Sequence, residues 1–111
     1  MIYHITHKDN WQKAHHSKTF IPDSFEREGF IHCSPLEKVT EVANNFYKGQ
    51  KDLILLCIDE SKVKSEIIWE DLYNHDFNFP HIYGELNTDA VINISDMNCD
   101  KEGCFLIPKI Q

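Results

Sequence analysis

The sequence contains few of the residues that interrupt regular structure, with 4 glycines and 4 prolines among 111 residues. It also lacks the run of about 20 apolar residues that a membrane-spanning helix needs. Its first residues do not have the charged and apolar regions of a secretory signal. We therefore expect a cytoplasmic protein with no membrane partner.

Positive charge is scarce as well, because the sequence has 11 Lys and Arg and 18 Asp and Glu, for a net charge of -7. An acidic surface repels polyanions and offers no basic stripe to a phosphate backbone, so duplex nucleic acid is not an expected partner. A small phosphorylated ligand is compatible with this net charge, since a few local cations can bind a phosphate at short range. The hydrophobic fraction of 41% predicts one domain with its own core over residues 1–111.

Cysteines are few and fall into two kinds. Cys33 and Cys57 lie in apolar runs, where a reduced thiol packs as a small hydrophobe. Cys99 and Cys104 flank a predicted turn, where they could form a disulfide or supply two metal ligands. A zinc site would need two more ligands, and the sequence has no Cys-x-x-Cys pair to provide them.

Two main helices are predicted from capping and periodicity. Asp9 begins a capping box that predicts a short first helix. Ser34 as N-cap, Pro35 in the first turn and Glu37 at the capping-box position predict a second helix, which carries one apolar stripe and ends near Gly49.

The remaining segments predict strands, so the fold class is α+β. Alternation of apolar and polar residues predicts strands at residues 1–6, 30–33, 66–69, 81–83 and 89–94. Residues 52–59 are almost continuously apolar and predict a central strand covered on both faces. Residues 104–107 are expected to pair with 89–94 as a terminal hairpin, and residues 19–28 to form a connecting segment that can act as a lid.

Three histidines lie inside apolar, strand-like runs: His4, His32 and His81. If their strand faces converge, they predict a cleft where imidazoles bind, polarise or transfer protons. Thr6 shares a strand face with His4, Tyr83 shares one with His81, and Ser34 follows His32 at a helix start whose amides favour an anionic group. The alternative for each histidine is a core position with a hydrogen-bonded ring.

Other polar residues are weaker candidates. Glu70 and Asp71 are adjacent and point to opposite faces of a strand, so they are not a carboxylate pair. Glu70 could orient a histidine or bind a ribose hydroxyl, or it could be a solvated charge. Cys33 points away from His32, so a thiol nucleophile is not expected. Four further histidines read as surface residues: His7, His15, His16 and His75.

Several segments, in matching order, resemble domain-of-unknown-function family 952 over nearly the whole chain. They are IYHIT (residues 2–6), EGFIHCS (28–34), VANNFY (42–47), DL (52–53), WEDLY (69–73) and PHIYG (80–84). That family looks like a distant relative of the ADP-ribosyltransferase fold. The resemblance implies a small, split, mostly antiparallel sheet that grips nicotinamide adenine dinucleotide (NAD).

The resemblance also implies roles for single residues. His4 is similar to a first-strand histidine that contacts a ribose, and His32 and His81 stand in the strands of the second and third motifs. Transferases place a glutamate in the third position, whereas this chain has His81 there, with Glu70 and Glu85 nearby.

The expected function is a histidine-lined cleft that binds NAD, ADP-ribose or a related nucleotide and transfers or hydrolyses it. The expected catalytic residues are His4, His32 and His81, and the expected ligand-binding residues are Thr6, Ser34, Glu70 and Tyr83. NAD would be a substrate, with no other cofactor. A non-catalytic binding module or a three-histidine metal site is the alternative, although the sequence has no His-x-x-x-His pair.

Overall fold

A computed structural model of the chain describes residues 1–14, 17–72, 74 and 76–97. Eight strands form three antiparallel sheets in these residues. The strands are β1 (Ile2–His7), β2 (Thr19–Phe20), β3 (Ile31–His32), β4 (Leu53–Ile58), β5 (Glu66–Glu70), β6 (Phe79–Tyr83), β7 (Leu86–Asn87) and β8 (Val91–Met97). The helices are α1 (Lys8–Lys13), α2 (Phe25–Glu28) and α3 (Leu36–Phe46), with 3₁₀ turns at Glu60–Lys62 and Thr88–Ala90.

The first sheet has the order β1-β4-β8, with β4 at its centre. Every residue of β4 is buried. Leu53, Leu55 and Cys57 pack towards α3, and the alternate residues pack towards the other two sheets. This arrangement confirms the predicted central strand and the α+β class with mostly antiparallel strands.

The first and third sheets meet at one isolated antiparallel bridge between Tyr3 and Ser34. The Tyr3 amide donates to the Ser34 carbonyl at 2.8 Å, and the Ser34 amide donates back to Tyr3 at 2.7 Å. Beyond this bridge β1 and β3 diverge, so the sheets are joined at one point and split on one side of it.

The third sheet has the order β3-β6-β5. His32 on β3 lies directly opposite His81 on β6, and His81 lies opposite Ile68 on β5. Because directly opposite residues share a sheet face, these side chains lie on one face. On the other face Ile31 and Ile82 enter the core against the first sheet.

Helix α3 covers the first sheet through Val39, Val42 and Ala43, as its apolar stripe predicts. The predicted N-cap is wrong: Pro35 occupies that position and no side chain caps the helix. Ser34 is instead held by its backbone bridge to Tyr3. Phe46, at the end of the predicted stripe, is 61% exposed.

Two further local predictions also differ from the structure. Asp9 lies inside α1, whose N-cap is His7, and no side-chain capping bond is present there. Residues 19–28 contain β2 and α2 rather than a plain connection, because Phe20 is buried and β2 pairs with β7. The 104–107 hairpin strand, the Cys99–Cys104 pair, His15, His16 and His75 lie outside the described residues.

Cys33 and Cys57 are buried free thiols, as predicted. Burial raises the pKa of the Cys33 thiol, so it remains protonated. His7, predicted at the surface, is half-buried at the end of β1. Among the described residues, no helix is long and apolar enough to cross a membrane.

Candidate functional site

His4 lies on β1 at the point where β1 and β3 diverge. The ladder that starts at the Tyr3–Ser34 bridge would next pair Ile5 with His32. In place of that backbone pairing, the His4 ring nitrogen Nδ1 lies 2.6 Å from the His32 carbonyl oxygen. Because a carbonyl only accepts, Nδ1 carries the proton and Nε2 carries a lone pair.

The environment of His4 keeps its imidazole neutral. The residue is 5% exposed, and burial lowers its pKa to about 4, opposed in part by the bond to the His32 carbonyl. Its Nε2 atom is buried and has no hydrogen-bond partner among the residues that the structure describes. A core position accounts for the bonded Nδ1, but it leaves the unsatisfied Nε2 acceptor unexplained, because buried polar atoms are usually paired.

A cleft of about 690 Å³ opens beside His4. Its inner wall is formed by β1 and the end of β3, and its outer walls by α2, by α3 and by the segment before β6. The lining includes His4, His32, Ser34, Arg27, Lys38 and Phe79. A smaller recess of about 220 Å³ continues along β1 past Thr6 and shares His4 and Arg27 with the cleft.

Charged and aromatic side chains face each other across this cleft. Arg27 Nη2 lies 3.8 Å from the carboxylate of Glu28, and Lys38 Nζ lies 3.3 Å from that of Glu41. Lys38 Nζ also lies 4.7 Å from the centre of the Phe77 ring, within cation–π range. The cleft therefore presents two cations, each beside a carboxylate of the same lining, and one of them, Lys38, also contacts an aromatic ring.

A second group of predicted residues surrounds His81. This histidine is 1% exposed, and its Nδ1 lies 2.8 Å from a carboxylate oxygen of Glu70, which also accepts a hydrogen bond from the Tyr83 hydroxyl. The bond from Tyr83, with that from His81, lowers the pKa of Glu70 and keeps it ionised. Phe30 stacks on the His81 ring at 4.1 Å.

His81 repeats the arrangement of His4. An acceptor binds Nδ1, and Nε2 is buried with no hydrogen-bond partner in the described part of the chain. Its ring centre lies 5.1 Å from that of His32, so His32 stands between the cleft and this group.

The seven predicted site residues therefore form two neighbouring groups. His4, Thr6, His32 and Ser34 line the cleft and its recess. His81 and Tyr83 are not among the residues that line the cleft and its recess, and both side chains contact Glu70 on β5. Glu70 orients a histidine, which was one of its two predicted roles, and its carboxylate also binds Tyr83.

Metal binding finds no support in the part of the chain that the structure describes. No three His, Cys, Asp or Glu side chains in it are arranged to hold a metal ion. The three histidines are distributed between the two groups, with His4 bonded to the backbone of residue 32 rather than beside its ring.

Sequence reasoning missed several residues that line the cleft. They are Arg27, Lys38, Tyr47, Phe77 and Phe79. Burial, with the nearby Glu28 carboxylate, raises the pKa of the Tyr47 hydroxyl, which stays protonated. One signal was available, because a Lys and a Glu three residues apart share the exposed side of α3. The other residues come from segments that only tertiary folding brings together.

Comparison with known proteins places the chain in a family. The sequence profile described as "Protein of unknown function (DUF952)" matches residues 5–94. The chain belongs to the DUF952 family. The matched range contains all of the predicted site residues except His4, together with the cleft cations Arg27 and Lys38. No curated protein matches the chain.

Solved structures similar to this DUF952 chain include those of protein CC0527 from Caulobacter crescentus. Its crystal structure, and that of a double mutant with two introduced methionines, each match with a TM-score of 0.85 and 28% identity. These matches cover 95% of this chain and 92% of the other. The solution NMR structure of CC0527 matches with a TM-score of 0.79 and 29% identity, covering 93% and 89%.

Proposed function

We propose that the cleft beside His4 binds NAD, ADP-ribose or a related nucleotide. The observation that carries the proposal is the buried, unpartnered Nε2 of His4, whose tautomer is set by the His32 carbonyl. Nε2 is buried, so a ligand hydroxyl that donates to this lone pair would have to displace the side chains that cover it. The cleft volume falls within the usual range of about 300–1,000 Å³ for small-molecule sites.

The other walls of the cleft suit the rest of such a ligand. Arg27 and Lys38 supply positive charge for a phosphate group, and the rings of Phe77 and Phe79 supply apolar surface for a base. An ADP-ribosyltransferase-like interpretation of the fold belongs to the same proposal. It is supported by the divergence of β1 from β3 at a histidine, as in a split sheet.

The histidines would then have different roles. His4 is neutral at physiological pH and acts as a hydrogen-bond acceptor, not as an acid. His32 lines the cleft and is the candidate for acid-base chemistry on a bound ligand, a role that typically contributes ~100- to 10,000-fold in rate. His81 acts through its neighbour His32, and Glu70 and Tyr83 are its positioning residues.

A titration followed by backbone amide shifts tests the binding step. NAD, ADP-ribose and nicotinamide are added separately to labelled protein. We expect saturable shifts at residues 4–6 and 32–38. In His4→Asn, whose side-chain NH2 takes the place of Nδ1 and can still donate to the His32 carbonyl while the Nε2 acceptor is lost, we expect about tenfold weaker binding, the cost of about one lost hydrogen bond.

A charge-matched pair of variants tests the phosphate contact. Arg27→Gln should weaken NAD and ADP-ribose about two- to fivefold, as expected for an exposed ionic contact, and leave nicotinamide unchanged. Lys51→Gln removes one charge from an exposed position outside the cleft and should change neither. No shifts at millimolar ligand, or equal effects of the two variants, would overturn the proposal.

Non-catalytic binding at the same cleft is a second candidate. The carboxylates of Glu28, Glu41 and Glu70 each already contact a cation or a hydrogen-bond donor, which disfavours their use on a substrate. Incubation with NAD and detection of released nicotinamide separates the two functions. Release that is lost in His32→Ala supports an enzyme, and binding without release supports the binding module.

A further inference from the structure

Strand β5 forms an outer edge of the third sheet. In the described part of the chain it pairs with β6 alone, and its other side has no neighbouring strand. Edge strands of this kind can pair with an additional strand, and proteins often protect them with Pro or Lys. The five residues of β5, EIIWE, contain neither.

The register of β6 identifies which backbone groups of β5 point outward. Pro80 has no amide hydrogen, and its carbonyl accepts the Cys33 amide at 3.0 Å, so its backbone faces β3. Its neighbours on β6 therefore face β5, since backbone direction alternates along a strand. Pro80 lies opposite Trp69, and Ile82 lies opposite Ile67. The amide and carbonyl groups of Ile67 and Trp69 consequently point to the open edge.

The side chains along this edge are apolar at the centre and exposed. Ile68 is 37% exposed, Trp69 is 43% exposed and Leu72, just beyond the strand, is 51% exposed. No hydrogen bond to the outward backbone groups of Ile67 or Trp69 occurs within the described residues. Within the described residues the edge therefore combines unpaired backbone groups with apolar surface, which are the two features of a strand-addition site.

Charge distinguishes between possible occupants of this edge. Glu66 and Glu70 lie at the two ends of β5, on the same face as Ile68. A second copy paired antiparallel about Ile68 would place Glu66 opposite Glu70 twice, and like charges directly opposite each other are destabilising. A strand with basic residues at both ends would instead place one cation opposite Glu66 and another opposite Glu70, whose Oε2 already accepts hydrogen bonds from His81 and Tyr83.

We propose that the open edge of β5 binds an extended segment of a partner protein, with Lys or Arg flanking an apolar centre. The basic side chains lie opposite Glu66 and Glu70, and the residues next to them lie opposite Ile67 and Trp69. Main-chain hydrogen bonds to Ile67 and Trp69 hold the strand, and the acidic ends select its charge. This interaction does not depend on the ligand of the cleft.

A five-residue peptide with blocked ends tests the proposal on the full chain. The probe reads lysine, valine, threonine, valine, lysine, and the control replaces both lysines with glutamate. We expect saturable amide shifts of Ile67 and Trp69 with the lysine peptide and at least about threefold weaker binding of the glutamate peptide, from one cross-strand charge pair or more. N-methylation of the two valines should abolish binding by the lysine peptide.

Glu66→Lys reverses the charge on the protein, as the control peptide reverses it on the ligand, and residue 66 is exposed. It should weaken the lysine peptide and strengthen the glutamate peptide. Equal binding of both peptides, shifts confined to the cleft, or no shift at 5 mM (about the limit for a weak strand addition) would overturn the proposal. Amide shifts of β5 that depend on protein concentration without peptide would identify a second copy as the occupant and overturn it too.

Discussion

The neutral, buried state of His4 makes a prediction about stability as a function of pH. The ordinary histidine pKa of 6.5 applies to the unfolded chain, and the folded chain lowers it to about 4. Between these values the unfolded state binds more protons than the native state. The free energy of unfolding therefore falls as the pH falls from 6.5 towards 4.

The size of this effect follows from the two pKa values. Between pH 7.5 and pH 5, His4 alone should lower the free energy of unfolding by about 2 kcal/mol, and by about 3 kcal/mol at pH 4. The comparison variant is His4→Asn, which does not titrate and keeps a donor at the position of Nδ1 for the His32 carbonyl. Effects of the other histidines and of the carboxylates cancel when the two proteins are compared.

The assay is urea unfolding of both proteins at pH 7.5, 6 and 5, followed by circular dichroism. We expect the wild type to lose about 2 kcal/mol more than His4→Asn between pH 7.5 and pH 5. A difference below about 0.5 kcal/mol, which is near the uncertainty of such extrapolations, would refute the conclusion that His4 is buried in its neutral form.

Three substitutions, each with a comparison variant, test other parts of the structure. Glu70→Ala should lower the free energy of unfolding by about 1–3 kcal/mol, because it leaves the buried Nδ1 of His81 without its acceptor; Glu70→Gln keeps an acceptor oxygen and should recover most of this in urea unfolding. Gly84→Ala should cost about 1–3 kcal/mol, since a Cβ there would lie 2.5 Å from Ser65 Oγ; adding Ser65→Gly should restore part of the melting temperature, and no recovery would contradict the clash. Leu56→Ala should lower the free energy of unfolding by about 2–5 kcal/mol, because it leaves a cavity at a fully buried position. Ile92→Ala, at a position 50% exposed, should lower it by about 1 kcal/mol or less in the same thermal unfolding experiment.

Most of the regular structure could be predicted from local pattern. Residues 52–59 read as a buried strand because an apolar run bounded by aspartates has few other stable placements, and β4 occupies Leu53–Ile58. Capping was predicted less well. Ser34 has the right type and spacing for an N-cap, but its backbone pairs with Tyr3, 31 residues earlier, and no local rule contains that bridge.

The candidate site was predicted in part for the same reason. Strand alternation places Thr6 with His4 and Tyr83 with His81, and both placements follow from the period of two. The separation of these pairs into two groups was not predictable, since it depends on how β1 diverges from β3. The cations Arg27 and Lys38 come from different helices, and their convergence on the cleft is a property of the packed fold.

Composition and short periods were enough to predict the α+β class, the buried central strand and the presence of histidines within apolar strands. The contacts of each histidine, in contrast, follow from the tertiary structure. The His4 ring bonds a carbonyl 28 residues away, and the His81 ring bonds a carboxylate on the neighbouring strand. Such bonds depend on strand register and on where two sheets separate, and those features arise only when distant segments of the chain pack together.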